Sequence, residues 1–237
     1  MNDSLTAWQK CLTLPLGQQV FAAEQTCLRQ FLPTYTPGVL LQVSDPFFGE
    51  WMGELNAASR ILLHHADVHA QPLSLLRGRW DAWPVQSESV NIVLLLHALE
   101  DTARPHELLQ EAYRVLKPEG RLIISYFNPW HSFSWKPGQH FNKLYALKKW
   151  LHLLDFQLEQ KQGVFYRPLW YPAAAQQLSF LETWGRVGVP LSPVTWVISA
   201  RKRVIPLTLV GRLLQTWKAP AFKTVPTASA RGMCEGS

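Results

Sequence analysis

A strand pattern, a helix pattern and a second strand pattern follow one another directly in the middle of the chain. Val90–Leu96 is rich in leucine and β-branched residues, which is typical of a strand buried on both faces of a sheet. Pro105 suits the first turn of the helix that follows, and Pro118 suits its end. Arg121–Tyr126 predicts the next strand. Because two parallel strands need a right-handed crossover that covers one face of their sheet, this pattern predicts an α/β fold.

The same alternation is found upstream. The apolar residues of Gln18–Phe31 share one helical face, and the short apolar runs Val39–Val43 and Arg60–His65 predict two strands. Repeated strand–helix units predict a doubly wound, open, mostly parallel sheet with helices on both faces. Ligands bind such sheets at the carboxyl ends of the strands, so the residues that follow these strands form the candidate site.

The second half of the chain extends the sheet differently. Asn142–Leu154 predicts a helix, and Phe156–Tyr166 and Val194–Lys202 predict two strands that form an antiparallel edge. Residues 167–193 are expected to be an insertion between these strands, with one helix at 173–184.

Length and composition bound the class of protein. The 237 residues suffice for one α/β domain, which we place at residues 1–204, with a cofactor-binding half at 18–126 and an acceptor-side half at 127–204. The three cysteines are far apart and show no metal-binding or redox spacing, and no segment resembles a signal peptide or a membrane span. We therefore expect a cytoplasmic protein.

Positive charge is concentrated towards the C-terminal end. The net charge is +6, and basic residues alternate with apolar ones over residues 201–223, where acidic residues are nearly absent. Two interpretations stay open: solvated charge beside the last core element, or peripheral contact of this segment with an anionic membrane. No nucleic-acid-binding motif accompanies it, so nucleic acid is not an expected partner. Residues 205–237 are expected to be a basic, partly disordered extension.

Four segments in a fixed order resemble one enzyme family. They are Asp81–Val85 (DAWPV), Ser89–Val93 (SVNIV), His97–Asp101 (HALED) and Arg114–Leu122 (RVLKPEGRL). In order and spacing they resemble the type 11 class I S-adenosylmethionine-dependent methyltransferases, over residues 39–126. The FNPW segment that begins at Phe127 is also similar to a proteobacterial subfamily of these enzymes.

This resemblance implies a Rossmann-like sheet of seven strands with the last strand antiparallel. It also implies an enzyme that uses S-adenosylmethionine to methylate a small or lipophilic acceptor, which the sequence does not identify. Because the sulfonium is already an activated methyl donor, the protein has to hold donor and acceptor in line and exclude water. A nicotinamide-dependent dehydrogenase is disfavoured, because its first turn needs a glycine fingerprint that is missing here.

The loop after the first strand departs from the family pattern. The resemblance places cofactor-binding residues at Gln42, Ser44, Asp45 and Gly49, where family members have an acid followed by a glycine-rich run. Gln42 stands in place of the acid, and Ser44 and Pro46 stand in place of the first glycines. Asp45 either supplies a carboxylate for the ammonium group of the cofactor or belongs to an Asp-Pro turn. This departure favours an alternative function, a catalytically inactive binding or scaffold protein with the same fold.

Two further acids are candidate cofactor ligands. Asp67, near the end of the second strand, is a candidate for the ribose hydroxyls because a carboxylate can accept from two donors, and a solvated strand-end acid is the alternative. By the resemblance, Asp81 with Ala82 corresponds to the contact with the adenine amino group. The histidines beside Asp67 cannot all converge from one strand end, so no metal site is predicted.

The acceptor side is predicted after the central strands. His97 follows Val90–Leu96 and is the candidate general base, and a structural histidine that fixes the loop is the alternative. Asn128, Trp130 and Trp135 are expected to line the acceptor pocket, where the indole rings either stack on the acceptor or pack as a lid. Glu100 is expected to be solvated at a helix entrance.

Overall fold

The computed structural model of the protein describes residues 15–44, 49–64, 74–100, 102–128, 146–166 and 193–203. All of them belong to the first of the two units into which the chain divides, Met1–Val204 and Ile205–Ser237. The predicted helix at 173–184 and the C-terminal extension lie outside the described residues.

Seven strands and four helices are described. In chain order they are α1 (Pro15–Phe31), β1 (Thr36–Ser44), α2 (Gly49–Gly53), β2 (Ala57–His64), β3 (Ser74–Arg77), β4 (Val90–Leu96), α3 (Pro105–Val115), β5 (Leu116–Phe127), α4 (Leu147–Leu153), β6 (Phe156–Val164) and β7 (Thr195–Lys202).

The seven strands form one sheet in the order β3-β2-β1-β4-β5-β7-β6. β7 is antiparallel to both of its neighbours, and all the other strand pairs are parallel. The strand order reverses between β1 and β4, which pair side by side and bring Ser44 opposite Leu96. The structure therefore confirms the predicted doubly wound sheet, and its switch point lies at the carboxyl ends of β1 and β4.

Both faces of the sheet are covered, because successive residues of a strand point to opposite sides. Leu95 lies in one buried apolar cluster with Leu109 of α3. Its neighbour Leu94 lies in a second cluster with Leu28 of α1. A strand buried on both faces is mostly apolar, and six of the seven residues of β4 are, which explains why β4 has the predicted bounds.

Lys202, near the end of β7, fastens the last strand to α3. Its ammonium group donates hydrogen bonds to the carbonyl oxygens of Tyr113 (2.9 Å) and Leu116 (2.8 Å), and lies 4.3 Å from the Tyr113 ring centre. Burial lowers the pKa of Lys202, and nearby Glu88 opposes this shift. The buried ammonium thus satisfies carbonyl groups that the end of a helix leaves without an intrahelical partner.

Gly38 leaves room for a polar contact between β1 and β4. Asn91 Oδ1 accepts hydrogen bonds from the Val39 N–H (3.2 Å) and from Lys117 Nζ (3.1 Å). A Cβ atom on Gly38 would lie 2.0 Å from the same oxygen, whereas a Cβ atom on Gly53 would meet nothing within 4 Å. A side chain at Gly38 would therefore displace Asn91.

Three differences from the sequence-based prediction concern β3, β5 and Gly49. β3 was not predicted, because it has only four residues and lies half-exposed at the edge of the sheet. β5 begins at Leu116 rather than Arg121, because Leu116 already pairs with Val90 of β4. Gly49 begins the short helix α2 instead of lying in an open loop.

Candidate active site

Buried polar side chains lie at the carboxyl end of β1. Gln42 and Ser44 are fully buried, and Gln42 Nε2 donates a hydrogen bond to Ser44 Oγ (2.7 Å). The Ser44 carbonyl oxygen lies 3.0 Å from His64 Nδ1 of the adjacent strand β2. Asp45 lies outside the described residues. The described part of the predicted cofactor loop therefore presents an amide and a hydroxyl instead of glycines and an acid.

A cavity of ≈ 390 Å³ opens beside the carboxyl ends of the strands. One side is formed by the segment after β3 and the other by the entrance to α3. Its lining residues are Arg79, Trp80, Asp81, Thr102, Ala103, Arg104 and Glu107.

Asp81 presents an ionised carboxylate in the lining of this cavity. Its two oxygens accept hydrogen bonds from Arg79 Nε (2.9 Å) and Nη2 (2.6 Å). These hydrogen bonds are the main reason that the pKa of Asp81 is held below its usual range. Ala82 is held by an isolated backbone bridge to Arg79. Asp81 is therefore a predicted cofactor ligand whose carboxylate lies in the lining of a cavity.

The segment between Asp81 and β4 is held rigidly by α3. The Trp83 N–H donates to Glu111 Oε2 (2.8 Å), and the Arg114 guanidinium donates to the carbonyl oxygens of Trp83 (3.0 Å) and Val85 (2.9 Å). Glu111 and Arg114 also pair with each other, at 2.8 Å. This network fixes the segment from Trp83 to Val85, which follows the residues in the cavity wall.

His97 forms a buried charged cluster with two glutamates. Its Nε2 lies 3.1 Å from Glu24 Oε1 of α1, and its Nδ1 lies 3.1 Å from Glu100 Oε1. The centre of the imidazole ring is 4.4 Å from the centre of the Phe127 ring. The backbone N–H of His97 donates a hydrogen bond to the Ser125 carbonyl (3.0 Å). These contacts hold His97 at a φ of 53°, in the left-handed region that few residues other than glycine adopt.

The two carboxylates keep the imidazole protonated. Burial by itself lowers the pKa of His97, but the charges of Glu24 and Glu100 and their hydrogen bonds raise it to about 10. Both ring nitrogens contact carboxylates, so this geometry favours a role in which His97 orients neighbouring groups. The assignment of His97 as a general base stays a prediction, since it requires a neutral ring with a nitrogen available to the acceptor.

Glu100 is buried, and the expectation that it is solvated is wrong. Its side chain is 9% exposed, because Oε1 accepts hydrogen bonds from His97 and from the Phe127 N–H (2.7 Å) and so turns the carboxylate into the protein. The other oxygen, Oε2, is buried and has no hydrogen-bond partner among the described residues. Sequence analysis also missed Glu24, although this acid lies on the buried face of α1, between Val20 and Leu28.

Asn128 connects the ends of β5 and β7. Its backbone N–H donates to the Val194 carbonyl (2.9 Å), and its side-chain amide donates to the Pro193 carbonyl (2.8 Å). Asn128 is also buried. These contacts hold the chain beside the predicted acceptor pocket. Trp130 and Trp135, the other predicted pocket residues, lie outside the described part of the chain.

The described ranges contain neither a metal site nor a membrane-spanning helix. Within them, no group of three or more His, Cys, Asp or Glu side chains has the arrangement of a metal site. No described helix combines the length and the apolar character needed to cross a membrane. Asp67 and the histidines beside it from residue 65 onwards are outside those ranges.

Comparison with known proteins places the chain in a family. The family described as "Methyltransferase domain" matches residues 54–124. The uncharacterized protein YafS of Escherichia coli (strain K12) is 30% identical over 173 residues, which cover 68% of this chain and 69% of YafS. The ubiquinone/menaquinone biosynthesis C-methyltransferase UbiE of Ruegeria sp. (strain TM1040) is 34% identical over 82 residues, which cover 35% of this chain and 30% of UbiE.

Solved structures show the same fold. An S-adenosylmethionine-dependent methyltransferase from Mesorhizobium loti superimposes with a TM-score of 0.57 at 16% identity, over 76% of this chain and 97% of that protein. The matched methyltransferase domain, the similarity to YafS and the observed strand order agree. The chain belongs to the class I S-adenosylmethionine-dependent methyltransferases, in the same family as YafS.

Proposed function

We propose that the protein transfers the methyl group of S-adenosylmethionine to a small or lipophilic acceptor. The observation that carries this proposal is the cavity between the segment after β3 and the entrance to α3, with the ionised Asp81 carboxylate in its lining. A volume of ≈ 390 Å³ lies within the usual range for small-molecule sites. Family membership supports the choice of cofactor.

The described residues fit the chemical groups of this cofactor. Asp81 can accept a hydrogen bond from the adenine amino group, and the Thr102 hydroxyl offers a donor and an acceptor in the same cavity. The indole Nε1–H of Trp51, in α2 after β1, is buried with no hydrogen-bond partner in the described part of the chain, and it can donate to a carboxylate. The bound cofactor would supply an activated methyl group, so the protein needs no further electrophile.

The contribution of the protein is mainly positional. The Glu111 and Arg114 contacts fix the chain after Asp81, and the contacts of His97 fix the turn after β4. Such rigid walls reduce the entropy that donor and acceptor lose when they are brought into line. The buried strand ends exclude water from the reacting groups. We place the acceptor on the side of Asn128, Trp130 and Trp135, where aromatic rings suit a planar or lipophilic molecule.

Calorimetric titration with S-adenosylmethionine and S-adenosylhomocysteine tests the cofactor. Ligand at a hundredfold excess over Kd stabilises the fold by about 2.7 kcal/mol, which should raise the melting temperature by roughly 5–10 °C. Asp81→Asn should bind about 10- to 100-fold more weakly, because a charge-assisted hydrogen bond is lost. Glu119→Gln, which removes an exposed acid at the start of β5, is the matched control. Absence of binding at millimolar ligand would overturn the proposal.

The degenerate end of β1 favours one alternative, a protein that binds the cofactor without transferring its methyl group. Gln42 and Ser44 bond to each other at the position where the family resemblance expects an acid and glycines. Incubation of the protein with methyl-labelled cofactor and separate lipid and aqueous extracts of cells distinguishes the two functions. Label in the lipid fraction identifies a lipophilic acceptor, and label in the aqueous fraction identifies a polar one. Binding without transfer to either fraction supports the alternative.

A further inference from the structure

The buried cluster of Glu24, His97 and Glu100 carries more negative than positive charge. Among the described residues, two acidic side chains contact one histidine, so acids outnumber bases in this cluster. Their side chains are 1%, 4% and 9% exposed, respectively. The negative charge of Glu100 also acts on Tyr126. Burial, together with this charge, raises the pKa of Tyr126 to about 12. A buried net charge is costly unless a group of opposite charge compensates it.

This cluster lies beside the end of β1, where Gln42 stands at the position at which the family resemblance places an acid. Ser44 of β1 pairs with Leu96 of β4, and His97 is the next residue. Along the end of β1 itself, Gln42 and Ser44 carry no charge. Among the described residues, the carboxylates at this point of the sheet therefore come from α1 and from the turn after β4. Asp45, which follows β1, lies outside the described residues.

One oxygen of the cluster is poised to accept a further hydrogen bond. Glu100 Oε1 contacts His97 and the Phe127 N–H, whereas Oε2 is buried without a partner in the described part of the protein. Ser125 Oγ, on the neighbouring strand β5, is also buried without a partner. Native proteins leave few buried polar atoms unsatisfied, and an ionised oxygen is among the most costly to leave so. A cationic donor at Oε2 would supply both the hydrogen bond and the missing positive charge.

We propose that Glu100, oriented by His97 and Glu24, binds the α-ammonium group in the methionine portion of S-adenosylmethionine. Glu100 would replace the acid that the family resemblance expects at Gln42. His97 and Glu24 are positioning residues: His97 holds Glu100 Oε1, and Glu24 holds the opposite side of the imidazole ring. This inference rests on the proposed function, because it assigns a residue to another part of the same cofactor; Glu100 is not among the residues that line the cavity beside Asp81.

Paired ligands isolate the ammonium group. S-Adenosylhomocysteine is compared by calorimetry with its deamino analogue, which keeps the adenosine, the sulfur and the carboxylate. A charge-assisted hydrogen bond should make the wild-type protein prefer S-adenosylhomocysteine by about 10- to 100-fold. Glu100→Gln should lose this preference, with unchanged affinity for the deamino analogue. The matched control is Glu119→Gln, since Glu119 is an exposed acid of β5 that lies 3.7 Å from Arg201 and does not contact the cluster; it should keep the preference.

The result that overturns the inference differs from the result that overturns the proposed function. Wild-type protein that binds both ligands equally, or Glu100→Gln that keeps the full preference, refutes the role of Glu100 and leaves the cofactor proposal intact. Wild-type protein that binds neither ligand refutes both. If Glu100→Gln does not fold, Glu24→Gln provides the second test: it leaves Glu100 in place but weakens its orientation, and should reduce the preference several-fold.

Discussion

Raising the pH should destabilise the fold through one side chain, His97. Its pKa is about 10 in the folded protein, against about 6.5 for an unperturbed histidine. Above pH 6.5 the unfolded state has lost a proton that the folded state keeps. The free energy of unfolding should therefore be highest below this pH and fall by up to about 1.4 kcal/mol per pH unit. Between pH 6.5 and 10 the total loss is at most about 5 kcal/mol.

Urea unfolding at several pH values measures this dependence, with tryptophan fluorescence as the signal. For a slope of about 2.5 kcal/mol per M urea, the midpoint should fall by about 0.5 M per pH unit. Glu24→Gln removes the carboxylate that contributes most to the raised pKa of His97, so its stability should depend less on pH over the same range. A wild-type midpoint that stays constant from pH 6.5 to 9, or an equal slope in Glu24→Gln, would refute the reasoning.

Three further outcomes are expected. Lys202→Met should lower the free energy of unfolding by about 2–4 kcal/mol, since one buried and one partly buried carbonyl group lose their donor. The exposed Lys148→Met should change it little. The urea midpoints of the two variants are compared with that of the wild type. Gly38→Ala should cost about 1–3 kcal/mol through the displaced asparagine, and Gly53→Ala should not; equal melting temperatures would contradict the steric argument. If the basic extension contacts membranes, the full chain should sediment with anionic liposomes and a chain without residues 205–237 should not, whereas equal recovery of both argues against contact.

The strands that the sequence predicted best are those buried on both faces. β4 could be recognised because all of its residues except Asn91 are apolar, as expected for a strand with both faces buried. β3 could not, because a short edge strand with one half-buried residue has neither an apolar run nor an alternating pattern. The start of β5 was also hidden: Pro118 and Gly120 are typical of a helix end, yet Leu116 already pairs with β4.

The candidate site was predictable only where it depends on local sequence. Asp81 was found because its segment has a recognisable order and spacing, and the structure places it in the cavity. The contact of Glu24 with His97 joins residues 73 positions apart, which no local pattern specifies. One signal was present nevertheless: Glu24 interrupts the apolar face of α1 four residues after Val20 and four before Leu28. An acid on the buried side of a helix indicates a partner elsewhere in the chain.

The position of β7 bears on how the protein is synthesised. This strand inserts between β5 and β6, although it comes from the far end of the domain. Until residue 202 has left the ribosome, β5 keeps an open edge and the end of α3 lacks its ammonium donor. Residues 18–126 by themselves therefore leave this edge of β5 unpaired. A nascent chain that stalls before β7 would expose a hydrophobic strand edge, and it would depend on chaperones during that interval.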